Sequence, residues 1–351
     1  VDNDALSQLL FLILFGILGA AWACLLAQVL RKSEGAGRLA TRLLLVALAW
    51  NVAALIYRGA YAGHAPWASQ YESATMVAFG VVLLYFVFQR RHQVPLLGLI
   101  VIPAAMLAIA SASMLPEEYK KMNPLMPALQ SYWLKIHVSL MLLSYGSFAT
   151  TFGLSLLFLI KDGAWTRKTT WLVLPLAGAA AGLFFAYVHA AAHSPFWQST
   201  LERMHVAAIN GDSTKVYLLF AALGAVAGLA GAGVLSRVPA SLAGLLPEKD
   251  LLDELNYQSV AIGFPMLTLG VILGAMWGHV AWGRYWGWDP KETWAFISWL
   301  IFAFFLHMRI FAGWDGRRIA WIGLFGAGSI VFTYWGVNFL LSGLHAYAKG
   351  S

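Results

Sequence analysis

Residues 277–299, WGHVAWGRYWGWDPKETWAFISW, hold six of the sixteen tryptophans in a chain of 351 residues. Trp282, Tyr285, Trp286 and Trp288 are spaced by Gly283 and Gly287, and Trp294 follows close behind. Flat rings of this kind stack on a planar ligand, and an indole N–H can hold a polar edge. A porphyrin matches such a surface. A haem would also need iron ligands, for which histidine is the common axial residue. His137, His307 and His345 are the candidates, and the elements that carry them decide their depth. His189 and His193 have the i, i+4 spacing of a metal pair, yet His205 adds no third ligand at a convincing distance. A polar helix end is the plainer reading there. Cys24, the only cysteine, excludes an internal disulfide, a CxxC pair and a cysteine zinc site.

The elements are set by composition. With 60% apolar and 11% charged residues and a mean hydropathy of +0.70, the chain reads as one integral membrane domain over residues 1–351. The net charge of +7 sits in short loops, which suits orientation in a bilayer rather than nucleic-acid binding. About 20 helical residues cross a hydrocarbon core roughly 30 Å thick. That length divides the chain into about ten spans, near 9–30, 40–60, 73–88, 94–112, 132–160, 171–190, 216–235, 256–278, 291–309 and 320–344. The fold class is therefore all-α, a polytopic transmembrane bundle. The first run lacks a basic leader and a small-residue cleavage pattern, and reads as a retained helix.

Loops after the odd-numbered spans carry fourteen of the 23 basic residues, among them Arg31, Lys32, Arg90, Arg91, Arg317 and Arg318. The positive-inside rule then puts both termini and the tryptophan-rich segment on the outer side. His137 falls near the outer end of the fifth span and His345 at the outer end of the tenth, both level with the tryptophans. His307 falls about 22 Å below the outer start of the ninth span at the helical rise. An ionisable group at that depth suggests function, although Arg309 nearby leaves snorkelling open.

Three features have sufficient structural readings. Asp289, Pro290 and Glu292 fit the N-cap, N1 and N3 positions of a capping box. Acidic residues 248–254 suit the positive end of the eighth span. Gly270, Gly274 and Gly278, every fourth residue, give that span a smooth face for a neighbouring helix. The rings themselves have a rival reading as an interfacial aromatic belt.

The run WGRYWGWDPKETWAFISW resembles the tryptophan-rich WWD signature of the haem-handling proteins of cytochrome c maturation, most closely the CcsA/ResC type. YES at 71–73, PALQSYWLKIHVSLMLLSYG at 127–146, GFPMLTLG at 263–270 and GVNFLLSGLHAYA at 336–348 extend the match in the same order. The resemblance implies a membrane subunit of a cytochrome c synthase, acting with a CcsB/ResB-type partner, that relays haem b and presents it to the CxxCH segment of apocytochrome c. His137 and His345 match the two outward haem-iron ligands, and His307 matches the transmembrane histidine of a lower site whose companion lies in the partner. The implied location is the plasma (inner) membrane, or the thylakoid membrane in a plastid or cyanobacterium. Residues 165–240 look like an inserted helical pair beside that family pattern. A haem-bearing quinone-reactive electron-transfer subunit, or a transporter or structural bundle, would share the span pattern without requiring the exposed tryptophan platform.

Overall fold

The computed structural model describes residues 2–67, 69–113, 120–122, 124–125, 127–164, 222, 225–226, 229 and 244–337. Their long elements are all helices: α1 (Asn3–Arg31), α2 (Glu34–Ala62), α3 (Gln70–His92), α4 (Pro95–Ser113), α5 (Tyr132–Lys161), α6 (Lys249–Trp282), α7 (Pro290–Ile310) and α8 (Gly316–Val331). A short 3-10 turn, Pro127–Leu129, leads into α5, and a π-helical turn, Phe332–Gly336, continues α8. Eight helices are long and apolar enough to cross a membrane. They correspond to eight of the ten expected spans, and the other two, 171–190 and 216–235, lie outside the described residues.

The chain divides into two compact units, Val1–Leu159 with Pro247–Ser351, and Ile160–Leu246. Within the smaller unit, Lys161 donates to the Leu246 carbonyl at 3.2 Å. The eight helices, apart from the last two residues of α5, form the larger one.

Helix ends follow local chemistry. Ser69 caps α3 in a capping box with Glu72, and Ser33 caps α2 by accepting from Ala36 N–H. At the start of α6, Glu248 makes no side-chain cap bond. Asp253 instead reaches across helices, pairing with Arg309 of α7 at 2.5 Å and accepting from Gly316 N–H of α8 at 3.0 Å. The acidic stretch thus ties three helix ends together, which dipole complementarity alone did not foretell.

Between helices the contacts suit a lipid solvent, where apolar surface gives little drive and close packing with polar bonds must hold neighbours together. Gly80 of α3 and Gly146 of α5 touch backbone to backbone. Phe148 of α5 stacks on Phe302 of α7 at 3.7 Å. Asn256 donates to Ser155 at 3.1 Å, Ser259 to the Ser147 carbonyl at 2.7 Å, and Trp299 to Thr268 at 2.9 Å. Against the first turn of α3, Arg58 of α2 is wholly buried. It donates to Glu72 at 2.7 Å, to Ser7 at 3.2 Å and to the Lys120 carbonyl at 2.7 Å, so one guanidinium joins α1, α2, α3 and the segment preceding α5.

Candidate functional site

The tryptophan-rich segment is a turn clamped between α6 and α7. Trp282 is the last residue of α6, which runs four residues past the expected end of the eighth span at 278. Gly283 then ends the helix in the left-handed region, φ 72°, where the missing Cβ removes the steric penalty. At the far side Asp289 caps α7, accepting from Lys291 N–H at 2.9 Å, and Pro290 opens the helix. Glu292 reaches back to accept from Gly287 N–H at 2.8 Å and Asp289 N–H at 3.2 Å. Between those two bonded amides Trp288 is forced to φ 56°, an uncommon value for a bulky residue. Trp288 is 67% exposed there, and Tyr285 58%.

The rings divide into three groups. Trp286 and Trp288 meet edge to face at 5.8 Å, and Phe296 of α7 meets both edge to face. Tyr285 stacks on His279 at 4.3 Å, with ring planes 6° apart. Trp282 packs on Trp277 at 4.7 Å, and Trp277 lies nearly parallel to His137 at 6.3 Å. Ring contacts thus run from Trp282, at the end of α6, through Trp277 to His137. Trp294 stands apart, packed at 4.2 Å on Phe332 of the π-helical turn.

His137 is held by α6. Its Nδ1 lies 2.6 Å from the Gly270 carbonyl oxygen, and a Cβ on Gly274 would come within 2.6 Å of the ring. Trp277 is itself fixed, its indole N–H donating to the Ala128 carbonyl at 2.8 Å. Sequence reasoning passed over Trp277, His279, Phe296 and the role of Gly274. A signal for two of them was present: Gly270, Gly274 and Trp277 follow the three- and four-residue spacing that places them on one face of α6.

His307 lies at the opposite end of α7, seventeen residues beyond Pro290 and about 26 Å along the axis at the helical rise. It is exposed and its ring lies 5.2 Å from Phe311. The nearby Arg309 is engaged by Asp253 and lies over the Tyr257 ring. His345, His189, His193 and His205 lie outside the described residues. Among the described residues no three His, Cys, Asp or Glu side chains cluster as a metal site. The arrangement therefore offers a backbone-anchored imidazole, His137 of α5, packed beside Trp277, a second, His279 of α6, stacked on Tyr285, and a third, His307, at the far end of α7.

Residues 67–345 match the family described as cytochrome C assembly protein. A cytochrome c biogenesis protein CcsA from a Synechococcus species is 34% identical over 362 residues, covering 99% of this chain and 93% of that protein. The CcsA of Pyropia yezoensis is 36% identical over 317 residues, covering 89% and 88% of the two chains. Among solved structures, the cytochrome c haem lyase CcmF superposes on 100% of this chain and 50% of its own with a TM-score of 0.54. At 14% identity that superposition speaks for the fold alone. Helical architecture, aromatic turn and near full-length similarity converge: this is a membrane protein of cytochrome c biogenesis, a member of the cytochrome c assembly family of the CcsA type.

Proposed function

We propose that the chain receives haem b in the membrane and presents it on the 282–288 platform, at the outer face, to the CxxCH segment of apocytochrome c. It does so as one subunit of a cytochrome c synthase whose other subunit is of the CcsB/ResB type. His137 and His345 are the axial ligands at the platform; Trp282, Tyr285, Trp286, Trp288 and Trp294 frame the macrocycle, and Asp289, Pro290 and Glu292 hold the turn. His307 serves a lower site completed by the partner subunit. Both termini face outward in this reading, in the plasma membrane or a thylakoid membrane.

The observation that carries the proposal is the run of ring contacts from Trp282, the residue that leads into the exposed turn, through Trp277 to His137, whose Nδ1 is tied to a backbone carbonyl. The chemistry asks for little else. Each substrate thiol adds across a haem vinyl group: a sulfur–carbon bond forms, the thiol hydrogen goes to the other vinyl carbon, and no net oxidation occurs. The nucleophiles belong to the apocytochrome, so the platform's contribution is orientation and shielding of the iron.

Reduced absorption spectra of the full chain, purified with its partner, test this. His137→Gly and His345→Gly are each expected to weaken the haem spectrum, with partial recovery on adding imidazole. Unchanged spectra in both variants would sink the ligand assignment, and failure to attach haem to a CxxCH substrate would sink the synthase role.

A further inference from the structure

We infer that the Gly270 carbonyl and the bare Cα of Gly274 are the positioning elements of His137: together they seat its ring and set its tautomer, with the lone pair on Nε2. The inference rests on the reading of His137 as an iron ligand and adds what makes it one.

A carbonyl oxygen can only accept, so the 2.6 Å contact with Gly270 places the proton on Nδ1 of His137. In a neutral ring the lone pair then resides on Nε2, the nitrogen whose lone pair would bind a metal. Gly270 lies inside α6, yet its oxygen retains a second lone pair beyond the one used in the helix.

Only close approach of the two helices makes that second lone pair reachable. A Cβ on Gly274 would sit 2.6 Å from His137 Cε1 and 2.7 Å from Nδ1, so the ring occupies the space of the missing side chain. One turn along, a Cβ on Gly270 would meet Met141 Sδ at 2.7 Å. His137 and Met141, four apart on α5, thus interlock with Gly274 and Gly270, four apart on α6. Trp277, nearly parallel to the imidazole and anchored to Ala128, restricts the ring's tilt. This is the arrangement by which a backbone acceptor fixes a ligating histidine and strengthens its donor nitrogen.

Three variants of the full chain, purified from membranes with its haem, separate the possibilities. Gly274→Ala is expected to lower haem affinity about 10- to 100-fold, the usual scale for losing such an outer bond. A weaker donor disfavours ferric iron, and each tenfold preferential loss of ferric binding raises the one-electron midpoint potential by about 59 mV. Gly263→Ala is the packing control, because its Cβ would press on Ser147 and Phe148 of α5, away from His137. It should leave the potential in place. In a His137→Gly background, Gly274→Ala should cause no further loss of haem.

Parental haem content and potential in Gly274→Ala, or an equal potential shift in Gly263→Ala, would overturn the inference while leaving His137 a ligand. An unchanged spectrum in His137→Gly would remove the ligand reading itself. A measurement on the unaltered chain guards against a variant that does not fold. Nitrogen-15 NMR of histidine in haem-free protein should show His137 protonated at Nδ1 and pyridine-like at Nε2, and the reverse pattern would refute the assignment.

Discussion

Gly80 and Gly146 face each other where α3 crosses α5, and replacing each by alanine should have effects of opposite sign. A Cβ on Gly146 would collide with the Gly80 carbonyl carbon and stand 2.6 Å from Val81 N, both main-chain atoms that cannot swing aside. Restoring ordinary contact requires the helices to part by about 1 Å, an overpacking expected to cost roughly 1–3 kcal/mol. Alanine returns about 0.5–1 kcal/mol of helix propensity. Gly146→Ala should therefore destabilise by about 1–2 kcal/mol. A Cβ on Gly80 meets Gly146 Cα at 3.3 Å and two further atoms at 3.5 Å, which a displacement of about 0.1 Å relieves. Its propensity gain prevails, and Gly80→Ala should be neutral or up to about 1 kcal/mol stabilising. The asymmetry arises because each Cα–Cβ bond points in its own direction, so one shared crossing is not symmetric to substitution. Thermal melting of the detergent-purified chain, with the two variants in parallel, measures the difference. Equal shifts, or a more stable Gly146→Ala, would refute the backbone contact.

Glu72→Gln leaves the buried Arg58 guanidinium without its counter-charge and is expected to destabilise by about 3–5 kcal/mol. The double change Arg58→Met with Glu72→Gln should regain part of that loss, and a single variant as stable as the parent would show that Arg58 is neutralised elsewhere. Glu292→Ala frees the Gly287 and Asp289 amides, at about 1 kcal/mol for the lost cap. Trp288 should relax from positive φ, read as altered iodide quenching of tryptophan emission together with weaker haem retention; no change in either would reject the clamp.

The parts legible in the sequence are those governed by short range. Span length follows from unbroken apolar runs, and eight helices appear where such runs lie among the described residues. The start of α7 is written within Asp289, Pro290 and Glu292, because a capping box closes within one turn. What escaped are pairings across distance in the chain. Periodicity assigns Gly270 and Gly274 to one face of α6, but nothing local says that His137, 133 residues away, fills their notch. Trp277 suffered likewise: counted among six tryptophans it looked like one more ring, whereas its bond to Ala128 and its place between Trp282 and His137 give it a separate task.

Arg309 shows how a pairing changes the meaning of a neighbour. As a sequence feature two residues from His307, it suggested a side chain reaching for water and hence a histidine near the interface. Its ion pair with Asp253 and its place over Tyr257 satisfy the charge within the bundle, so Arg309 is no gauge of where water begins. His307 must then be judged on its own surroundings: an exposed imidazole on a helix otherwise rich in Phe and Ile, with the Phe311 ring beside it. A polar group on an apolar face is costly in lipid and gains most from a partner that supplies a ligand or a hydrogen bond. That physical need supports the proposed lower site at a subunit contact. It also explains why α7 suits the proposal, since one rigid helix separates an aromatic turn from an exposed imidazole by about 26 Å.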